Sequence, residues 1–361
     1  MTAQGTLLDH EVGEQPEVLA RLLDSVLPRL DELRAQLRPE RATGVVLVAR
    51  GSSDNAARYA QYLFGLRLGL PVALATPSLH TVYGTSPQFD RQIVVAVSQS
   101  GASPDVVEVL RAAREQGCPA LAVTNDPQSP LAAQATLVLD LAAGEERSVA
   151  ATKTYTASLL AMALLAVALG PSGQRSSAER ELRTLPDAVL AALQCLAAVE
   201  SAGEHLVAAD RAVTVGRGLN LATAYEAALK ITELSGMLVA PFSPADLLHG
   251  PIAAVGPSVP VLLVAPAEPS RDSVLDLVPA LRERAAPVLV ITHPTPGRGA
   301  AALDGADVAV PLPLGPGGPV APWLSPLVSV LPAQLLAARL AALRGADVDR
   351  PAGLTKVTST R

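Results

Sequence analysis

Aromatic side chains are scarce in this chain: one Trp, five Tyr and three Phe among 361 residues, 2% of the total. Because 49% of the residues are nevertheless hydrophobic, its cores must be built from Ala, Val and Leu. A surplus of basic charge is also missing. Lys and Arg number 28 against 34 Asp and Glu, a net charge of −6, which argues against a nucleic-acid partner, since phosphate backbones are held by clustered Lys and Arg. The only two cysteines, Cys118 and Cys195, lie far apart and form no CxxC pair. Neither a disulfide framework nor a zinc site is expected, and a reducing cytoplasm is the compartment that fits. No His/Asp/Glu cluster has ligand spacing either, so no metal or other cofactor is expected. The opening stretch MTAQGTLLDHEVGEQPEV lacks a basic region followed by an apolar core, which argues against a signal peptide. The longest apolar run, ASLLAMALLAVALG at 157–170, is too short to span a bilayer comfortably and reads as a buried helix. Nucleotide fingerprints are absent as well: no GxxxxGK[ST], and no GxGxxG after the first strand.

What the sequence does contain is alternation. The segment 16–38 carries Leu at helical spacing and reads as an amphipathic helix. Short β-branched runs then alternate with helical stretches: GVVLVARGSS (44–53), PVALATPS (71–78), QIVVAV (92–97), ALAVTND and TLVLDL. A helix over 105–117, ended by Gly117, follows the third of them. Such alternation predicts parallel βαβ units, hence a doubly wound α/β domain. After an Ala-rich helical region (about 178–200) the pattern restarts with AVTVGRG, VPVLLVAP, APVLVITH and DVAVPLP. GVVLVARGSS and AVTVGRGLN both place a strand before an Arg-Gly turn and a helix, which suggests an internal duplication. A closing helix, SPLVSVLPAQLLAARLAALRG, is expected despite Pro332, and by composition the residues after it read as a frayed tail.

The stretch QIVVAVSQSGASPD (92–105) carries the chemical signal. A loop between the carboxyl end of a parallel strand and a helix lies where open α/β sheets bind ligands. The helix N-terminus offers unpaired N–H groups and a positive dipole end. Ser98, Ser100 and Ser103 add hydroxyls, and Gly101 allows close backbone approach. Ser103 is expected both to cap the helix, with Pro104 at its first position, and to help hold a phosphate. The GSS turn at 51–53 supplies further hydroxyls at a second strand end. Two hydroxyl-rich loops without a nucleotide fingerprint suit a small phosphorylated metabolite.

These segments bring a family into view. ARGSSDNA, SQSGASPD, ERSVAATKTYT, EAALKITELSG, DLLHGP and the terminal DVDRPAGLTKV occur in the order found in sugar isomerase (SIS) domain proteins, and the chain resembles that family, on the pattern of the isomerase half of glucosamine-6-phosphate synthases. The resemblance implies two doubly wound α/β SIS subdomains, each with a parallel five-stranded sheet flanked by helices. It divides the chain into an N-terminal helical segment (1–40), subdomain 1 (41–175), subdomain 2 (176–345) and a C-terminal tail (346–361) that folds over the site as a lid. It implies that a phosphorylated hexose or amino hexose is held by Ser52, Ser53, Ser98, Gln99, Ser100 and Ser103, with Val149 and Thr355 as sugar contacts. Glu233 would shuttle the proton between C1 and C2, with Lys230 steadying the enolate-like charge from the same helix face. His249 would open the ring, since imidazole titrates near neutral pH, and would reach the site from the second subunit of a homodimer. Lys356 would sit at the carbonyl carbon, where a deprotonated amine could form a Schiff base. The bland alternative makes Lys230 and Glu233 a helix-surface ion pair, Lys356 a solvated tail residue, and the remaining histidines structural.

Two departures from the synthase pattern shape the functional expectation. Nothing in the chain corresponds to a glutaminase domain, and SQSGET becomes SQSGASPD, with Ala102 in place of Glu, a form typical of stand-alone family members. The expected reaction is therefore amino-sugar phosphate deamination with isomerisation: glucosamine 6-phosphate and water to fructose 6-phosphate and ammonia. The alternatives are a plain aldose–ketose phosphate isomerase, a fructosamine-6-phosphate deglycase, or a sugar-phosphate sensor without catalysis. Neither nucleic acid nor membrane is expected as a partner.

Overall fold

The computed structural model describes residues 5–294, 297, 300, 301 and 304–356; the first four residues of the expected helical segment and the last five of the expected lid lie outside them. The chain forms two compact units. One comprises Glu17–Glu146, Lys153–Arg183 and Thr355–Arg361, the other Met1–Pro16, Arg147–Thr152 and Thr184–Leu354.

The first of these units is built on strands β1 (Gly44–Val48), β2 (Val72–Leu74), β3 (Gln92–Val97), β4 (Ala120–Thr124) and β5 (Leu137–Asp140), all parallel in the order β2-β1-β3-β4-β5. β1 and β4 are buried along their whole length and β3 from Ile93 on, as expected for runs of Val, Leu and Ala covered on both faces by helices. The Pro104–Glu115 helix covers one face, with Val106, Val109, Leu110 and Ala113 forming a buried stripe against Val46, Val94 and Ala96. Each Val or Leu so buried contributes roughly 1.5–3 kcal/mol. The apolar run read as a buried helix is one: Lys153–Leu169 is buried at every residue and packs against the helices Ser52–Leu68 and Leu30–Leu37. Its C-terminal carbonyls are closed by Arg34, whose Nη1 lies 2.8 Å from Leu169 O and 2.7 Å from Gly170 O, satisfying groups that a helix end leaves unpaired.

The other unit repeats the plan. β6 (Arg211–Val215), β7 (Leu238–Phe242), β8 (Val261–Val264), β9 (Val288–Thr292) and β10 (Val308–Pro311) form a parallel sheet in the order β10-β9-β8-β6-β7. Read from β7, this is the order of the first sheet, as duplication requires. The Leu221–Ser235 helix packs on the Ser325–Leu343 helix, which continues through Pro332. The α/β class with two five-stranded parallel sheets is thus the fold present.

The local expectations differ from the structure in two places. The 16–38 helix is broken: Leu27–Arg29 forms a 3-10 turn between Gln15–Val26 and Leu30–Leu37, because Pro28 has no N–H to give. The Ala-rich region is helical as expected, in three helices, Arg175–Leu182, Leu185–Ala192 and Leu196–Leu206. The sequence reading also passed over β7, an edge strand that tolerates Pro241 because edge positions need no ladder donor there.

Candidate functional site

Six expected phosphate ligands gather at the carboxyl ends of the neighbouring strands β1 and β3. Ser52 and Ser53 open the Ser52–Leu68 helix after Gly51, whose φ of 56° suits glycine. Ser98, Gln99, Ser100 and Ser103 precede the Pro104–Glu115 helix. Their loop is pinned from the β4 side: Ser98 N donates to Val123 O at 3.0 Å, and Gln99 O accepts from Asn125 N at 3.0 Å. Gly101 has φ +58°, and a Cβ there would lie 2.0 Å from Ser129 Oγ, so no side chain fits.

The hydroxyl bookkeeping favours an anion. Ser98 Oγ accepts from Gly101 N at 3.2 Å and Ser100 Oγ from Ala102 N at 3.3 Å, which leaves both O–H groups free to donate. Ser103 occupies the N-cap position before Pro104 but makes no side-chain cap bond, so the expected capping bond is not formed; the hydroxyls of Ser52, Ser53 and Ser103 bond to no described residue. The nearby cation, Arg50, is committed to the buried Asp105 carboxylate, Nε to Oδ2 at 2.7 Å. Five O–H donors at the N-termini of two long helices form a neutral cradle whose pull on an anion comes from aligned dipoles.

The second sheet provides an internal comparison. Ala265 N donates to Ile291 O as Ser98 N does to Val123 O, so Ala265, Pro266 and Ala267 stand where the first sheet has Ser98, Gln99 and Ser100. Asn220, the counterpart of Ser53, is consumed internally, donating to Ser325 Oγ at 2.8 Å and accepting from Ser329 Oγ at 2.6 Å. The counterpart loop carries Glu268 instead, bonded to Ser270, and burial pushes its carboxyl up. A carboxylate at that place opposes anion binding. Only the first sheet keeps the cradle.

The tail residue Lys356 belongs to the unit that carries the cradle. Its Nζ donates to Glu146 Oε2 at 2.7 Å, and the Glu146 side chain is fully buried. Glu146 also accepts from Thr154 N at 3.1 Å and Thr154 Oγ1 at 2.6 Å. Thr355 is exposed. The stretch just before is held in the other unit: the Asp349 carboxylate accepts from Leu7 N and Leu8 N, both at 3.0 Å, capping the Leu7–Gly13 helix, and Asp349 O accepts from Val149 N at 3.3 Å. Residues 347–356 are therefore not a frayed end. Val149, half-buried, lies in a segment whose preceding N–H groups, of Arg147 and Ser148, are held by Glu11.

Lys230 and Glu233 sit together on the Leu221–Ser235 helix, and Lys230 donates to Glu233 Oε2. They are not a surface pair. The Lys230 side chain is 2% exposed, whereas Glu233 keeps 26% of its own open, and the fully buried Glu226 carboxylate stands 3.8 Å from Lys230 Nζ. A buried cation between two carboxylates fixes the helix face and leaves Glu233 facing outward. His249 makes no hydrogen bond or ion pair with any of the other expected residues among those described. It ends the short Pro244–Leu248 helix, exposed, with its imidazole bonded to no described residue.

Sequence reading missed Glu146, Glu226 and Asp105, although each lies within a motif quoted above. Glu146 opens ERSVAATKTYT and Glu226 opens EAALKITELSG, so an acidic residue leading a motif was the available signal.

Comparison with known proteins gives consistent results. A model of the SIS domain matches residues 40–168 and 205–344. A glutamine–fructose-6-phosphate aminotransferase (isomerizing) of Thermus thermophilus is 35% identical over 96% of this chain and 57% of the relative, and that of Treponema pallidum is 30% identical over 97% and 60%. The chain thus spans less than two thirds of the curated relatives it matches. Among solved structures, the C-terminal domain of the Francisella tularensis glucosamine-fructose-6-phosphate aminotransferase superposes with a TM-score of 0.86 at 25% identity, over 97% of this chain and 99% of that one. Thermotoga maritima glucosamine-6-phosphate deaminase shares the fold, with a TM-score of 0.75 at 20% identity over 98% and 100%.

Proposed function

The chain belongs to the SIS domain family, and from that premise we propose that it is an amino-sugar phosphate deaminase and isomerase, converting glucosamine 6-phosphate and water to fructose 6-phosphate and ammonia. The observation that carries the reading is the coexistence of a five-hydroxyl anion cradle with an outward carboxylate braced by a buried lysine. A phosphate sensor needs the first and has no use for the second.

In this reading the cradle takes the 6-phosphate through Ser52, Ser53, Ser98, Ser100 and Ser103, with Gln99 beside them. Glu233 removes the C2 proton of the open-chain aldose and returns it at C1, which leaves a C2 imine. Lys230 stabilises the negative charge that develops between these steps. Water then adds at C2 and ammonia leaves, balancing the reaction. His249 opens the ring as a residue donated across a homodimer; its exposure and freedom from local bonds support that assignment. Val149 and Thr355 are sugar contacts, and Lys356 acts at C2 from the tail.

The test is ammonia release from glucosamine 6-phosphate coupled to detection of fructose 6-phosphate, with Glu233→Gln alongside. Ammonia formed by the wild type and reduced at least about 100-fold in the variant is the expected result. Interconversion of fructose and glucose 6-phosphates without ammonia would leave the plain isomerase in its place.

A further inference from the structure

The first sheet has a second recess, at the opposite end of its strands. A cleft of about 770 Å³ is lined by Arg38 and Arg41 before β1, by Arg91 at the start of β3 and by Cys118 before β4. The serine loops follow the other ends of β1 and β3, about 16 Å away along a five-residue strand. The cleft is thus distinct from the phosphate cradle.

Its charge is unusual for this molecule. The guanidinium groups of Arg38, Arg41 and Arg91 make no ion pair or hydrogen bond with any described residue. Elsewhere in the same unit Arg29, Arg50, Arg58, Arg111 and Arg175 hold carboxylates and Arg34 and Arg114 hold backbone carbonyls, whereas Arg21, Arg180 and Arg183, outside the cleft lining, share the unbonded state. Asp90 is the one acidic residue among the lining. Three permanently charged groups against one carboxylate leave a local excess of two positive charges on a chain whose net charge is −6.

The backbone presenting them is fixed. Among the described residues, Arg38 and Arg91 are two of the four non-glycine residues with positive φ, 47° and 57°, a conformation that disfavours a long side chain. Arg38 N is bonded to Arg34 O at 2.9 Å, and Arg91 O accepts from Thr43 N at 3.0 Å. Gln116 braces the adjoining wall, accepting from Phe89 N at 2.9 Å and donating to Pro87 O at 3.0 Å. Leu37, Ile93 and Cys118, each under 10% exposed, give the cleft an apolar floor, and burial holds the Cys118 thiol above its ordinary range, so it adds contact rather than charge.

We propose that this cleft binds a small organic phosphate at a site separate from the sugar-phosphate cradle, its phosphate on Arg38, Arg41 and Arg91 and its body on Leu37 and Ile93. Guanidinium forks suit phosphate oxygens, and the volume suits a ligand larger than the bare anion. The proposal does not depend on the reaction assigned above.

Calorimetric titration with inorganic pyrophosphate and with AMP tests it, comparing the wild type, R38Q/R91Q, R38K/R91K and S98A/S100A. Circular dichroism melting checks that each variant is folded. The expected result is binding of at least one probe that persists in S98A/S100A, weakens about tenfold or more in R38Q/R91Q and is largely restored in R38K/R91K. Binding lost in S98A/S100A but kept in R38Q/R91Q would place the anion in the serine cradle and overturn the proposal. So would equal binding by all variants, or none by either probe at about 10 mM, a free energy below that of a single good charge-assisted contact.

Discussion

Replacing Glu146 by Gln should release the tail. The wild-type carboxylate is fully buried, and the hydrogen bonds it accepts include two from Thr154 and one from Lys356 Nζ at 2.7 Å. An amide has one oxygen. With that oxygen towards Thr154 N, the NH2 group confronts the Lys356 ammonium; flipped, it confronts the Thr154 N–H. Either way two donors oppose each other, and the attraction to the ammonium is gone. A hydrogen bond involving a charged group contributes about 1.5–3 kcal/mol, and the lower figure applies because Lys356 keeps 25% of its side chain exposed and regains water on release. A loss of about 1.5 kcal/mol makes the released tail roughly tenfold more populated. Trypsin reads this directly, since it must take Lys356 into its specificity pocket and cannot do so while Glu146 holds the side chain. Under conditions where opening is fast relative to cleavage, loss of residues 357–361, followed by mass spectrometry, should be about tenfold faster in Glu146→Gln. Equal rates in variant and wild type would refute the latch.

Two further outcomes follow from buried groups. His293 is 2% exposed, its Nδ1 accepts from Ala267 N at 3.0 Å, and burial lowers its pKa to about 4. Unfolding restores a value near 6.5, so between the two the unfolded state binds more protons: stability is full above pH 6.5 and falls by up to about 3 kcal/mol as pH drops to 4. Urea unfolding across that range should show the slope in the wild type and its loss in His293→Gln. Gly101→Ala should cost about 2–4 kcal/mol and abolish anion binding at the cradle, because the new Cβ collides with Ser129 Oγ at a left-handed φ; an unchanged denaturation midpoint would contradict the loop geometry.

The elements most legible in the sequence were those whose pattern is local. β1, β3 and β8 are runs of Val, Leu and Ile bounded by turns, and the Lys153–Leu169 helix is apolar all round because it is covered all round. β7 escaped because Leu238 is exposed and the strand only half-buried, so neither alternation nor a buried run marks it. Each serine loop was legible because its own residues lie close together in sequence. The Glu146–Lys356 bond spans 210 residues and the Asp349 cap on Leu8 spans 341; no window on the chain holds both partners. Tail composition suggested fraying, yet two backbone N–H groups wait at a helix start for one carboxylate, and a distant Asp349 satisfies them.

The duplicated fold carries different side chains at corresponding positions of its two copies. Both sheets place a strand, an Arg-Gly turn and a helix at corresponding positions, so both begin with the same dipoles aimed at the same edge. In the first unit the turns carry hydroxyls whose O–H groups donate to no described residue, and the nearby Arg50 guanidinium is neutralised by Asp105, leaving an uncharged cradle. In the second unit the same positions are spent on structure: Asn220 ties the helix to Ser325 and Ser329, and Glu268 opposes an anion. What that unit offers instead is Lys230, sealed between Glu226 and Glu233. Its burial would be costly without both carboxylates, and that cost fixes Glu233 as the exposed end of the array. In the proposed reaction phosphate binding and proton transfer fall to different copies of one unit, and a substitution that restored hydroxyls at Ala265 and Ala267 should still fail to create a second cradle while Glu268 remains.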